Sequence, residues 1–171
     1  ARGETLAWLS LDPVDDRPYE FWSAVIEALV LSGADEDIGR LDALSPPRSG
    51  VEPRFISALI QASVDAGVDR LVLDDVHLLR DRDVLAGLDV LLAEMPPPLS
   101  VVMAGRFEPG LSFHRLRLDD QLAEVVNSDL VFTDGEAGEL FTRVGTEPMK
   151  ATCSLPDSSP LTSSEAEENC V

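Results

Sequence analysis

A chain of 171 residues has the length of one domain with a single hydrophobic core. Hydrophobic residues make up 44% and charged residues 26%, as in ordinary globular domains, and no apolar run approaches the ~20 residues of a membrane helix. The formal net charge of −19 gives a surface that repels phosphate backbones, so we expect no direct contact with nucleic acid. Because no apolar run is long enough, we expect no membrane contact either.

The first fifty residues are predicted to form a strand, a helix and a loop. Residues 5–11 read as a buried strand that ends at Asp12-Pro13, a turn signal. Asp15 and Asp16 then precede a helix start at Arg17-Pro18. Two neighbouring rows of apolar residues recur at every fourth position and predict about three turns with one buried face. The rows are Phe21, Val25, Leu29 and Trp22, Ile26, Val30. Trp8, Phe21 and Trp22 are interpreted as core aromatics, and residues 32–50 as a loop rich in Gly, Ser, Asp and Pro.

Helices and strands alternate along the rest of the chain. A second helix has an apolar face between residues 55 and 64 and ends at Ala66-Gly67. The apolar run 71–73 predicts a central parallel strand, and residues 84–92 a third helix that three prolines terminate. Residues 99–104 and 122–126 are predicted as further strands. Thr133 and Glu136 have the spacing of a capping box, which opens a last helix. This alternation is typical of a parallel α/β sheet with helices on both faces.

The sequence changes character after about Arg143. We divide the chain into a domain at 1–145 and a Ser/Thr/Pro/Glu-rich tail at 146–171, which we expect to be disordered. The tail is either an ordinary flexible terminus or the product of a frameshift that replaced further helices. Cys153 and Cys170, both in the tail, are too few for a zinc site and are interpreted as free thiols in a reducing cytoplasm.

Two acids, Asp74 and Asp75, directly follow the predicted central strand. A buried strand fixes a carboxylate firmly at its carboxyl end, so the first acid can hold Mg²⁺ through its water shell and the second can position an attacking water. The alternative is a solvated turn that caps the next helix, and the pair alone does not decide between the two.

Other candidate groups are sparse. Arg106 follows the next predicted strand, where a cation could contact a γ-phosphate; by itself it reads equally as a surface arginine. His77 and His114, the only histidines, lie in no triad-like or metal-ligand pattern, and we expect a structural role for His77. Lys150 is the only lysine, and a phospho-receiver domain, which needs a lysine after a late strand, is disfavoured for that reason.

Several stretches in order resemble the ATPase module of large transcription regulators of the MalT/LuxR type. They are residues 7–12, 15–22, 71–79, 101–106, 115–122 and 129–137. Within this resemblance, residues 71–79 are similar to the Walker B strand and residues 101–106 to the sensor strand that ends in Arg. The set covers residues 5 to about 145.

The resemblance implies a partial P-loop NTPase, with a three-layer sandwich built on a mostly parallel sheet. It implies ATP and Mg²⁺ as ligands of the parent family, self-association driven by ATP and an inducer, and a separate DNA-binding domain. By the same resemblance, Asp74 takes the Mg²⁺ role through water, Asp75 positions the attacking water, and Arg106 senses the phosphate.

One motif of the family is missing. The phosphate-binding pattern G-x-x-x-x-G-K-[ST] occurs nowhere in the 171 residues, and Lys150 lies outside any glycine loop. In the family that loop lies shortly before the strand at Ala7, and its strand pairs beside residues 99–104. We therefore expect an unpaired sheet edge, weak stability, and neither ATP hydrolysis nor DNA binding by this chain alone.

Three hypotheses follow from these sequence features. The first is a fragment of a cytoplasmic MalT-like regulator that does not hydrolyse ATP and associates with itself or with the rest of the regulator. The second is an ATPase subunit completed by a separate upstream chain that carries the phosphate loop. The third is a non-catalytic acidic interaction module.

Overall fold

The structure of the protein is a computed structural model that describes residues 4–32, 38–50, 52–97 and 99–144. The chain divides into two compact units, residues 1–123 and 124–171, and each is described by itself.

The first unit alternates strands and helices, as the sequence predicted. Short 3-10 turns occur at Pro13–Asp15 and Val76–Leu78. The elements in chain order are β1 (Leu6–Ser10), α1 (Pro18–Ser32), α2 (Ile38–Asp42), α3 (Pro53–Asp65), β2 (Arg70–Asp74), α4 (Arg82–Glu94), β3 (Ser100–Met103) and α5 (His114–Leu118).

The sheet of the first unit has three parallel strands in the order β1-β2-β3. Trp8, Val72 and Val102 are in register across it. Parallel neighbours need crossover connections, and here helices supply both of them. The α/β class is thereby confirmed, and the arrangement is consistent with a partial P-loop NTPase-like sandwich.

Side chains alternate between two unlike faces of this sheet. One face, which we call the covered face, joins the core formed with α1, α3 and α4; it consists of Ala7, Leu9, Leu71, Leu73, Val101 and Met103. The opposite face, which we call the open face, presents Leu6, Trp8, Val72 and Val102. Three of these four side chains are exposed, at 43% for Leu6, 58% for Trp8 and 43% for Val102.

The open face corrects one expectation about the core aromatics. Phe21 and Trp22 are fully buried in α1 and stack edge-on at 4.9 Å, as predicted, but Trp8 is exposed. The sequence predicted helices on both faces of the sheet. In the described part of the first unit, α1, α3 and α4 pack on the covered face, and Trp8 points to the other side.

Two further sequence predictions differ from the structure. The predicted loop at residues 32–50 contains the short helix α2, whose Leu41 is completely buried against its neighbours and so anchors it. The predicted strand at 122–126 is wrong: these residues form no strand. Val125 and Val126 are exposed, at 70% and 53%.

The described part of the second unit contains α6 (Asn127–Leu130) and α7 (Asp134–Val144). The predicted capping box is confirmed: the backbone N–H and hydroxyl of Thr133 both donate to Glu136 Oε2 at 2.9 Å, and the Glu136 N–H returns a bond to Thr133 Oγ1 at 3.3 Å. The predicted disordered tail, with both cysteines and Lys150, lies outside the described residues.

Candidate functional site

The two candidate acids lie where the sequence put them, at the carboxyl end of the central strand. Asp74 is the last residue of β2 and is half-buried. Its Oδ1 accepts a hydrogen bond from the N–H of Asp75 at 2.9 Å, and its carbonyl accepts one from the N–H of Leu11 at 3.1 Å. Both the side chain and the backbone of Asp74 are therefore held by neighbouring backbone groups.

Asp75 turns the chain out of the sheet. Its backbone is left-handed, with φ 59° and ψ 32°, a region that Asp enters more readily than most residues. The carboxylate is about half exposed, and its Oδ1 lies 3.5 Å from Nδ1 of His77. That ring nitrogen is buried and has no hydrogen bond among the described residues. The imidazole and the carboxylate form an ion pair only when the imidazole is protonated.

The loop after β3 packs directly against the acidic turn, the name used here for Asp74, Asp75 and the 3-10 turn Val76–Leu78 that follows them. Ala104 donates its N–H to the carbonyl of Leu73 at 2.9 Å and accepts the N–H of Val76 at 3.0 Å. Gly105 comes so close that a Cβ there would lie 3.1 Å from Val76 Cγ2 and 3.2 Å from the backbone nitrogen of His77. A residue without a side chain is what this approach of two backbones requires.

Arg106 is carried on that same loop. Its neighbour Phe107 stacks edge-on against the His77 ring at 6.1 Å, so residues on both sides of Arg106 contact the acidic turn. The Arg106 side chain is exposed and makes no hydrogen bond or ion pair within the described part of the chain. The structure thus brings the Arg106 loop beside Asp74 and Asp75, with the cation itself free to meet a ligand.

Asp16 is a site residue whose role sequence reasoning missed. Its Oδ1 accepts the N–H groups of Arg80 and Asp81, both at 2.7 Å, and so ties the segment after β1 to the loop that leads from β2 into α4. Asp81 in turn caps α4 by accepting from the N–H groups of Asp83 and Val84. The adjacent acids at 15 and 16 were read only as a helix start, because nothing in the sequence reveals a bond across 64 residues.

The fit of the site to Mg²⁺ is partial. Across the described ranges no group of three or more His, Cys, Asp and Glu side chains could hold a metal ion. Mg²⁺ usually keeps several waters and takes one or two carboxylates plus phosphate oxygens, so Asp74 suits one such ligand. The sequence has no G-x-x-x-x-G-K-[ST] pattern, which would form the amide-lined loop that binds the phosphates.

His77 and His114 differ in their surroundings. The imidazole of His77 is enclosed between the acidic turn and Phe107, with only 13% of the side chain exposed. His114 opens α5 and is exposed. A hydrogen-bonding, structural role was expected for His77, but its buried Nδ1 makes no hydrogen bond within the described part of the chain, so that role stays a prediction. His114 forms no hydrogen bond or ion pair with these acids in the same part of the chain.

The chain is similar to bacterial transcription regulators over most of its length. It is 30% identical to the HTH-type transcriptional regulator MalT of Serratia proteamaculans over 148 residues, 85% of this chain. It is 29% identical to the MalT of Yersinia enterocolitica over 80% of the chain, and 26% identical to that of Vibrio cholerae over 81%. No family model matches the chain.

These similarities support a relationship to the MalT-like transcriptional regulators. The chain spans only 16% of the length of the Serratia protein and 15% of that of the Yersinia protein, so it corresponds to a small part of either. No helix in the described residues is long and apolar enough to cross a bilayer.

Proposed function

We propose that this chain is the carboxylate part of the ATP site in a MalT-like regulator. The observation that carries the proposal is the placement of Asp74 and Asp75 at the end of a buried central strand, with the Arg106 loop packed against them. Asp74 would hold Mg²⁺ through water, Asp75 would orient the attacking water, and Arg106 would contact the γ-phosphate.

The chain alone is proposed to be inactive. Acids at a sheet edge add negative charge to a protein that already carries −19, so a triphosphate is repelled unless a cationic, amide-lined pocket faces them. The same charge disfavours DNA, so promoter binding would belong to another part of the regulator. This proposal implies a cytoplasmic protein whose partners are the rest of the regulator or further copies of this chain.

A second candidate is an ATPase subunit completed by a separate chain that carries the phosphate loop. The observation that favours it is the intact acidic turn, since Asp74 and Asp75 keep an ordered backbone and fixed bonds without that loop. The two candidates differ in whether the missing part is joined covalently to β1 or is supplied in trans.

Calorimetric titration with Mg·ATP tests the proposal. The chain alone should show no binding, whereas a fusion in which a strand and loop of the pattern G-x-x-x-x-G-K-[ST] precede the chain should bind and hydrolyse ATP. In that fusion, Asp75→Asn should abolish hydrolysis but retain binding, and Asp74→Asn should weaken the Mg²⁺ dependence of binding. Asp42→Asn, on the helix α2, which packs on α1 and α3, is the matched control and should change neither.

Two results would contradict the proposal. Tight Mg·ATP binding by the 171-residue chain alone would mean that it contains its own phosphate site. Full hydrolysis in the Asp75→Asn fusion would remove the catalytic role of the acidic turn. Binding that appears only when the chain is mixed with a separately expressed phosphate-loop region would favour the second candidate.

A further inference from the structure

The imidazole of His77 lies between the two parts of the candidate site. On one side, its Nδ1 is 3.5 Å from Oδ1 of Asp75. On the other side, the ring of Phe107 contacts it edge-on with the centroids 6.1 Å apart, and a Cβ at Gly105 would lie 3.5 Å from the Cβ of His77. Because Gly105 and Phe107 flank Arg106, His77 contacts both the acid and the loop that carries the cation.

The surroundings of Nδ1 favour one position for the proton of the imidazole. This nitrogen is buried and has no hydrogen-bond partner within the described part of the chain. A neutral imidazole has one N–H donor and one bare acceptor nitrogen. A bare Nδ1 would face the carboxylate of Asp75, which only accepts hydrogen bonds when ionised, and would remain a buried, unpaired acceptor. An N–H at the same place would attract the carboxylate instead.

A small rotation of the Asp75 side chain would close the contact. N–H···O bonds are about 2.7–3.2 Å long, so the 3.5 Å between Nδ1 and Oδ1 is slightly too long. The imidazole is enclosed, with 13% of the side chain exposed, whereas the Asp75 side chain is 45% exposed and has room to turn. A bond from the Nδ1–H group would therefore set the direction of the carboxylate, while the ring stays in place.

We infer that His77 is a positioning residue of the site: its Nδ1–H group directs the carboxylate of Asp75, and its ring links that carboxylate through Phe107 to the loop of Arg106. A shift of this loop would move Phe107 against the imidazole and so change the direction of the carboxylate. The inference rests on the proposed function and deepens it, since it names the residue that couples the water-orienting acid to the phosphate-sensing arginine.

Nitrogen NMR of the histidine rings in the 171-residue chain tests the contact without nucleotide. The chemical shift of each ring nitrogen shows whether it carries a proton. His114 is the only other histidine, so His114→Asn assigns the signals. Nδ1 of His77 should carry a proton in nearly every molecule, either in the neutral ring or in a doubly protonated one. A ring with its proton on Nε2 alone would overturn the inference.

A matched pair of glycine variants tests the part played by Asp75. Asp75 and Asp120 both have left-handed backbones, with φ 59° and φ 53°, so glycine fits either position and removes the carboxylate. Asp75→Gly should raise the share of His77 rings with a bare Nδ1 severalfold, whereas Asp120→Gly should leave that share unchanged. The same share in Asp75→Gly as in the parent chain would contradict the inference.

A second pair tests the link through Phe107. Phe107→Leu removes the aromatic ring beside His77 and should shift the signals of the His77 ring protons and of the Asp75 carboxyl carbon. Phe55 lies on α3, where its ring contacts Trp22 at 5.4 Å, so Phe55→Leu is the control and should shift neither signal. An unchanged Asp75 signal in Phe107→Leu would show that the loop and the acid are not coupled.

Hydrolysis by the fusion that carries the phosphate loop tests the consequence. His77→Leu should leave Mg·ATP binding unchanged and lower the hydrolysis rate between about 10- and 100-fold, since the acid is present but no longer directed. His77→Asn places an amide N–H donor near the position of Nδ1 and should restore part of the rate. His114→Asn is the control and should change neither binding nor rate. A full rate in His77→Leu would contradict the positioning role.

The NMR and nucleotide measurements fail independently. A proton on Nδ1 without ATP binding by the fusion would count against the proposed function and leave the contact between His77 and Asp75 standing. ATP hydrolysis by a fusion whose His77 has a bare Nδ1 would do the reverse.

Discussion

Asp16 illustrates how one side chain can organise the loops at a sheet end. Its carboxylate oxygen accepts two backbone N–H groups from a loop 64 and 65 residues away. Bonds to a charged acceptor are stronger than neutral ones, and these two fix the start of α4 relative to the segment after β1. The bonded N–H groups belong to the segment just after the 3-10 turn Val76–Leu78, so Asp16 fixes where the chain leaves the acidic turn.

Replacement of Asp16 by alanine should destabilise the first unit. The loop N–H groups can bond to water instead because Arg80 is exposed, so we expect a loss of about 1–2 kcal/mol in the free energy of unfolding. Urea denaturation followed by circular dichroism measures it. Asp16→Asn keeps an oxygen acceptor and should recover part of the loss, and equal stability of Asp16→Ala and the parent chain would contradict the role.

Gly105 offers a second test at the residue scale. A Cβ at this position meets the backbone nitrogen of His77 at 3.2 Å, and backbone atoms cannot yield as a side-chain tip can. Gly105→Ala should therefore cost about 1–3 kcal/mol of unfolding free energy. At Gly110 the nearest atom is the flexible Cδ1 of Leu85 at 3.5 Å, so Gly110→Ala is the control and should be close to neutral. Equal costs at the two glycines would show that the close approach is not rigid.

The elements differ in how well their sequences specify them. The three parallel strands were predicted from short apolar runs, and the helices α1, α3 and α4 from apolar rows at helical spacing, which these helices bury in the core. The end of α3 was also predictable, since Gly67 adopts the left-handed conformation with φ 71°. The strand predicted at 122–126 failed because an apolar run becomes a strand only beside another strand, and pairing is not encoded locally. Helix α2 was missed because the tertiary contact of Leu41, more than its own short sequence, holds it.

Helix α7 should respond to pH through its capping box. Hydrogen bonds from the backbone N–H and then the hydroxyl of Thr133 lower the pKa of Glu136. A carboxylate with a lowered pKa stabilises the folded form above its unfolded value of about 4.3, and this stabilisation is lost as the pH falls through the lowered pKa. The Cα chemical shifts of residues 134–137 should thus move toward coil values in that acidic range.

Glu136→Gln is the matched variant for the capping box. It retains an acceptor for the Thr133 bonds but has no titrating group, so the shifts of this turn should change little over the same pH range. Glu139 lies on the same helix without a bond to Thr133, and Glu139→Gln should leave the pH response of the parent chain unaltered. An identical response in Glu136→Gln and the parent would assign the pH effect to another group.

At the scale of the whole molecule, the sheet has two free edges and one uncovered face in the described residues. Unpaired N–H and C=O groups on an apolar edge strand favour association with other chains, and β3 carries no charged side chain to oppose it.

The position of the acids at a strand end could be predicted from sequence, because a buried run followed by Asp-Asp is a local signal. The exposure of the open face could not be predicted from sequence, because it depends on which segments pack on the sheet.

The isolated chain should be weakly stable and prone to associate. Thermal unfolding should be broad or begin at low temperature, and light scattering should show larger species as the protein concentration rises. Val102→Lys charges both the open face and the β3 edge and should reduce association. A monomer that unfolds in one sharp transition at high temperature would contradict this expectation.

The left-handed backbone at Asp75 determines which mutants can be interpreted. Alanine or glutamate at this position would change the path of the main chain as well as the charge, so a loss of function in such a variant would have two explanations. Asparagine tolerates the same torsion angles and is nearly isosteric, and glycine adopts them without cost. Comparison of Asp75→Asn with Asp75→Gly therefore separates the contribution of the charge at this position from that of its backbone conformation.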